Sequence, residues 1–274
     1  MIMDNKGIHV EFRERLAIIT LDRQDRKNSF NHDMWNALDS AVEKVRASMP
    51  RAVIITGAGD RVFSAGFDVN PDNTLVSGLI ESVKKNDSKP VEVMIRKIRT
   101  TVDRLVSLPV PVIAAVNGLA YGGGAELAVR CDMRIMDPDA VICFSEVSLG
   151  LMPDWGGGVA LARLAGTAVA AELILSGKKI SAQEAFERGM INAVSGKGRA
   201  LDEAVSLGLA IAKNGPRAVR FALRCIRESP ALKLDEALEL ETSLASELIA
   251  SGECMHGISA FLSKKEPEFP DPAD

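Results

Sequence analysis

Apolar and polar positions along the 274-residue chain follow two rhythms, one of period two and one of period three to four. Residues 8–12 and 16–21 are rich in β-branched and aromatic side chains and flank the polar Arg13–Arg15 stretch, which predicts two short strands around a turn. From Asn31 onward, Met34, Leu38, Ala41, Val42 and Val45 recur at helical intervals, so the spacing predicts a helix capped by Asn31 and running to about Ala47. Ala52–Thr56 is an unbroken apolar run closed by Gly57-Ala58-Gly59-Asp60, which reads as a buried strand. Val62–Asp68 is a second apolar segment, turning at Gly66. Residues 70–90 are polar, contain Pro71, Gly78 and Pro90, and read as a mobile loop or short helix. A helix follows from about Val91 to Ser107, then a buried strand at Val112–Asn117 behind Pro109 and Pro111. Gly122–Gly124 opens a helix to about Arg130, and Met133–Met136 and Val141–Phe144 read as strands.

Two strands and a helix thus recur about three times, over 8–47, 52–107 and from 112 onward, as a structural rhythm without a clean sequence repeat. After about Trp155 the pattern predicts helices only. Ser181 with Glu184 forms a capping box, Pro216 stands at a first helical position, and Leu234–Ala250 carries apolar residues every three to four positions. The expectation is a β-rich core to about residue 155, continuous with a helical C-terminal part and joined to it by no flexible linker.

Composition narrows the function classes. Apolar residues make up 47 % of the chain, enough for a substantial core, and 33 basic against 37 acidic residues leave a net charge of −4. That balance argues against bulk attraction to nucleic acid or to an anionic membrane. The four cysteines (131, 143, 225, 254) and three histidines (9, 32, 256) match no zinc or redox spacing. The expectation is therefore reduced thiols, a cytoplasmic protein and no metal. The first twenty residues hold Asp4, Glu11 and Glu14 and lack the apolar stretch of a secretory signal. Val110–Val129 carries one charge, Glu126, but is broken by Pro111, Asn117 and four glycines, so it reads as strand, turn and buried helix start. A dinucleotide fingerprint fails at Val62, no G-x-S-x-G occurs, and Gly196-Lys197 lacks the rest of a P-loop.

Three segments carry the chemistry: Phe63–Asp68, Asn117–Leu127 and Phe144–Gly157. In the second, a strand feeds three glycines and then a helix. Glycine admits close approach to the backbone, and the first amides of a helix point outward with partial positive charge. Such a terminus suits a phosphate or a developing oxyanion; tight strand–helix packing accounts for the glycines equally well. Glu126 sits on the first helical turn among apolar neighbours, either as a dipole-stabilising carboxylate or as a buried acid of raised pKa. Glu146 follows a strand, as an acid of the site or a strand-end charge. Asp154 precedes three glycines, and its simplest reading is a helix N-cap.

The segments Ser64–Asp68, Pro111–Gly118, Gly122–Glu126 with Cys131-Asp132, and Glu146–Gly157 together resemble the crotonase (enoyl-CoA hydratase/isomerase) superfamily, in the right order over nearly the whole chain. The tail Gly257–Leu262 with Lys264, Lys265 and Pro267 is similar to the family's C-terminal signature. The resemblance implies an α/β fold, a stacked ββα superhelix of the ClpP/crotonase type over residues 1–200, and a helical region at 201–274 that mediates trimerisation, with hexamers as pairs of trimers. It implies an acyl-CoA thioester substrate, with coenzyme A as part of the substrate and no further cofactor. The amides of Phe67 and Gly123 would form the oxyanion hole. Glu126 would activate water for addition at Cβ, and Glu146 would exchange the proton at Cα; two carboxyls suit that work because one can be ionised while the other is protonated. Arg23 and Lys27 would approach the CoA phosphates, the backbone of Ala65, Gly66 and Asp68 would hold the adenine, and Phe261 and Lys264 of a neighbouring subunit would close over the nucleotide.

The chain departs from many hydratases at Asp154, where they carry a small residue. An acid there is usual in double-bond isomerases, which keeps isomerisation open, as does a non-catalytic CoA-binding role for the fold. Dehalogenases with an aspartate at this place lack a counterpart of Glu146. Trp155 would line the acyl pocket or pack in the core.

Overall fold

The computed structural model describes residues 2–5 and 7–271. Strands β1 (Ile2–Asn5), β2 (Ile8–Arg13) and β3 (Leu16–Leu21) form an antiparallel meander. Helix α1 (His32–Ser48) follows, capped by Asn31, whose side chain accepts from the Met34 amide at 2.9 Å. Next come β4 (Ala52–Gly57) and β5 (Val62–Ser64), then helices α2 (Thr74–Lys85) and α3 (Lys89–Val106). The short-helix reading of 70–90 therefore holds as α2, and α3 starts ahead of Val91 because Pro90 is tolerated in a first turn. Strands β6 (Val112–Val116) and β7 (Leu119–Tyr121) lead into α4 (Gly123–Arg130), and β8 (Met133–Met136) and β9 (Val141–Cys143) lead into α5 (Gly157–Ala165) and α6 (Thr167–Ser176).

From the second repeat onward, each unit places one strand in each of two sheets and then a helix, whereas β2 and β3 of the first repeat both lie in the larger sheet. The larger sheet has the order β1-β2-β3-β4-β6-β8 and is parallel from β3 onward. In the smaller sheet β5, β7 and β9 run parallel. Strands β3, β4 and β6 are buried on both faces, which is why they read as continuous apolar runs. Ile19, Val53, Ile55 and Ala114 face α1 and α3 in the main core, while Ile18, Ile54, Ile113 and Ile135 face a second core under α8 (Ala200–Ala212).

The expectation of helices alone beyond Trp155 is corrected. β10 (Lys179–Ser181) completes the smaller sheet against β9, and β11 (Ala193–Val194) ends the larger sheet beside β8. Both are three residues or fewer, too short to show a period-two pattern. Between them, α7 (Ala182–Glu187) is capped by Ser181, but the Glu184 carboxylate turns to Lys178 and Arg188, so only half of the capping box forms. Helices α9 (Pro216–Glu228), α10 (Leu234–Ala250) and α11 (Cys254–Leu262) close the chain. Arg227 of α9 docks this helical end on the core by a bidentate pair with Asp132 and a bond to the Leu108 carbonyl. Among the described residues no helix is long and apolar enough to cross a membrane.

Candidate active site

The turn at Gly66 and the start of α4 meet. Gly66 has φ +80°, and the residue after it forms a parallel bridge with Phe30: the Phe30 amide donates to the Gly66 carbonyl (2.7 Å), and the Asp68 amide donates to the Phe30 carbonyl (3.0 Å). In an extended segment the intervening Phe67 N–H then points away from Phe30. The start of α4 lies against this turn, since a Cβ on Gly66 would stand 2.6 Å from the Gly123 nitrogen. The first backbone bond of the helix runs from the Glu126 amide to the Gly122 carbonyl, which leaves the Gly123 amide without an intrahelical acceptor. Neither Phe67 N nor Gly123 N donates to an acceptor among the described residues. The loop is braced from below: the Gly66 amide donates to Ser64 Oγ, which donates to the Asn28 carbonyl.

Three acids gather beside these amides. Glu126, on the first turn of α4, is 1 % exposed. Its Oε1 accepts from the Asp154 amide at 3.1 Å, and its Oε2 accepts from the Trp155 and Gly157 amides, each at 2.8 Å. Burial pushes the carboxyl up to about 8; the Gly157 amide opposes that rise, and the charges of Glu146 and Asp154 add to it. Glu146 opens the 3₁₀ turn Glu146–Leu149, and its Oε1 lies 3.7 Å from where a Gly122 Cβ would be. Both Glu146 oxygens are buried and find no well-aligned donor among the described residues. Burial is the main cause that raises this carboxyl, Asp154 adds to it, and the nearby Glu126 carboxyl opposes it through a shared hydrogen bond. Asp154 is exposed as a residue, yet burial raises its carboxyl.

The N-cap reading of Asp154 is corrected. The cap position of α5 belongs to Gly156, in a left-handed conformation at φ +93°, and the free amides of this helix start are taken by Glu126 from another helix. Trp155 is 2 % exposed. Its ring covers Gly123, where a Cβ would collide with it, and stands edge-on to Trp35 (4.6 Å) and Phe30 (5.6 Å). It is core packing directly beneath the glycine turn.

The remaining residues divide. Arg23 spends one guanidinium nitrogen on Asp68 (2.6 Å) and on the Ser29 carbonyl, so it braces the Ala65–Asp68 loop. Beside it, Lys27 is exposed and in the left-handed region at φ 54°, with its carbonyl accepting from the Ala65 amide. Phe261 lies in the last turn of α11 and Lys264 just beyond its end, Phe261 being 81 % exposed, and no contact joins them to the acids within one chain. Two residues of the site's framework escape a linear reading. Asn28 is fully buried at φ 52°; its side chain accepts from the Arg23 amide and donates to the Ala58 and Val62 carbonyls. The signal was there, in an asparagine at a turn, where that side chain tolerates left-handed backbone. Arg130 donates to the Trp155 carbonyl; its signal is the four-residue spacing from Glu126.

Comparison with known proteins identifies the family. Residues 11–272 match the enoyl-CoA hydratase/isomerase family. The chain is 30 % identical to a short-chain-enoyl-CoA hydratase of Clostridium acetobutylicum, over 97 % of this chain and 98 % of that protein. It is 32 % identical to the 2,3-dehydroadipyl-CoA hydratase of Escherichia coli, over 95 % and 97 %. The crystal structure of an enoyl-CoA hydratase from Bacillus anthracis superposes with a TM-score of 0.86 at 34 % identity, covering 96 % of this chain and 98 % of that one. With sequence match and fold agreeing over almost its whole length, the chain belongs to the enoyl-CoA hydratase/isomerase family of the crotonase superfamily.

Proposed function

We propose that this protein hydrates 2-enoyl-CoA thioesters. The observation that carries the reading is a pair of neighbouring carboxyls, both raised by burial, one gripped by three amides and the other with no well-aligned donor, beside two unused backbone amides. In the proposed reaction the thioester oxygen sits between the Phe67 and Gly123 amides. Water adds to Cβ and gives a proton to the Glu126 carboxylate. The electron pair moves through Cα toward the thioester carbonyl, whose oxygen becomes the enolate. Each amide donor of such a hole is worth about 2.7–4 kcal/mol in the transition state. Cα then takes a proton from Glu146. The two carboxyls end with the same total number of protons, and transfer from Glu126 to Glu146 resets them. On the CoA side, Lys27 supplies a cation for the phosphates, Arg23 holds the loop through Asp68, and the Ala65–Asp68 backbone faces the adenine. The protein is proposed to assemble as a homotrimer, pairing into hexamers, in which Phe261 and Lys264 reach a neighbour's nucleotide. Exposed Leu238, Ile249, Ile258 and Phe261 on α10 and α11 support that assembly.

A second reading, double-bond isomerisation, rests on Asp154, whose carboxyl is raised by burial and whose charge acts on both glutamates. Incubation with crotonyl-CoA and longer enoyl-CoAs in ¹⁸O-water separates the two. Loss of conjugated thioester absorbance with one solvent oxygen gained is the expected result. A shifted double bond without added oxygen selects isomerisation and overturns the first reading.

A further inference from the structure

Glu126 and Arg130 stand four residues apart on α4 and share one helix face. Both reach the turn at residues 154–157, from opposite chemical sides. Glu126 takes the amides of Asp154, Trp155 and Gly157. Arg130 Nη1 donates to the Trp155 carbonyl at 2.8 Å, the acceptor of the same residue whose amide Glu126 holds. Arg130 Nη2 is itself held by Asp103 of α3 at 2.5 Å. Gly156 lies between them at φ +93°, where any Cβ would collide with the guanidinium. The guanidinium side chain is 16 % exposed and Asp103 is 49 % exposed.

We propose that Arg130, oriented by Asp103, is a positioning residue that fixes the 154–157 turn so that its amides hold Glu126 as the base. The inference rests on the reading of Glu126 as the group that takes the proton of water. A hydrogen bond weakens steeply as its angle closes, so the support a carboxylate draws from backbone amides depends on how firmly they are aimed. The charged groups that act on Glu126 itself are Glu146, from the 3₁₀ turn, and Asp154, from the turn above it, and both oppose its ionisation. The amides are what favours the anion. Arg130 is not among the leading influences on that carboxyl, so its effect runs through the shape of the turn. Asp103 also has a second cation nearby in Arg99, 3.9 Å away. Without Arg130 the Trp155 carbonyl loses its partner, and a turn containing two adjacent glycines is free to rotate its amides off Glu126.

The test is a ¹³C-carboxyl NMR titration of Glu126 in the free protein, assigned by the signal lost in Glu126→Gln, alongside steady-state kinetics. Arg130→Met should move the Glu126 titration upward by about one pH unit, a tenfold change in proton affinity. It should lower kcat about tenfold to a hundredfold, as a misplaced catalytic group does, with KM changed far less. Arg130→Lys retains a donor for the Trp155 carbonyl without the planar fork, and should recover part of both. Asp103→Ala, at a half-exposed position, should shift the titration the same way by less and leave Tm nearly unchanged; it decides the matter if Arg130→Met folds poorly. A Glu126 titration that stays in place in both Arg130→Met and Asp103→Ala overturns the proposal. So do activity losses that track Tm alone. The titration is read without substrate, so full turnover by Glu126→Gln would remove the base role from Glu126 while leaving the positioning result to stand on its own.

Discussion

At the scale of single residues, Glu146 is the most exposed to a change of conditions. Its buried oxygens have no well-aligned donor, and burial holds its carboxyl above the ordinary range. A raised folded-state pKa means that the native state binds the proton more tightly than the unfolded chain does. Stability from this group is therefore fully present below the ordinary carboxyl pKa of 4.5 and is lost as pH climbs through the folded value. Glu126, pushed up to about 8, behaves the same way, so the pair drains stability between about pH 4.5 and 8. Glu146→Gln removes one of these buried charges. It should raise Tm relative to wild type at pH 8.5, raise it much less at pH 5, and lower kcat by about 10²–10⁴. Calorimetry at the two pH values checks the first part; a Tm difference that shrinks with rising pH would contradict the assignment. The acids themselves were legible in the sequence as isolated charges in apolar stretches. Their partners were not, because the amides that hold Glu126 lie 28 to 31 residues further along the chain.

At the scale of elements, the recurring strand-strand-helix unit explains why the site stands where it does. Two successive turns of the superhelix deliver a glycine bend at the end of a smaller-sheet strand, and these bends, Gly66 after β5 and Gly122-Gly123 after β7, are stacked by the parallel pairing of those strands. Asn28 joins a third segment to the stack by bonding the Ala58 and Val62 carbonyls and the Arg23 amide. Asn28→Ala leaves those groups unpaired in the interior and a Cβ-bearing residue without its local bond at φ 52°. The expected cost is about 3 kcal/mol, since each buried orphan is worth about 1–3 kcal/mol. It would appear as a lower urea midpoint at constant m-value. An unchanged midpoint would mean that the junction is held elsewhere. Strands β3, β4 and β6 were readable as continuous apolar runs and helix α1 from its helical period. β10 and β11 were not, because segments of two or three residues are specified by the strand they pair with.

At the scale of the whole molecule, the helical end is fastened to the core at separate points. Arg227 grips Asp132, and buried Arg51 binds the Phe269 carbonyl and Asp271, while within the helical end Glu253 takes the Arg217 and Ala218 amides at the start of α9. Arg227→Met leaves Asp132 without its bidentate partner at a largely buried site, a loss of about 3–5 kcal/mol. If this end builds the proposed trimer, sedimentation velocity on that variant should show a shift from trimer or hexamer toward the single chain. A variant that sediments as wild type would detach assembly from this docking contact. The amino-acid order by itself determined the strand and helix rhythm, the doubly buried sheet and the residue types at the chemical centre, because period, capping and glycine placement are local properties. Only the tertiary structure decided that Glu126 caps the turn before α5, that Asp154 does not, that Arg23 braces the Asp68 loop and that the Glu146 carboxyl is buried beside Glu126 with no well-aligned donor. Proton affinity and hydrogen bonding are set by which groups come within a few ångströms and how much water they exclude, and here those groups come from segments far apart in the chain.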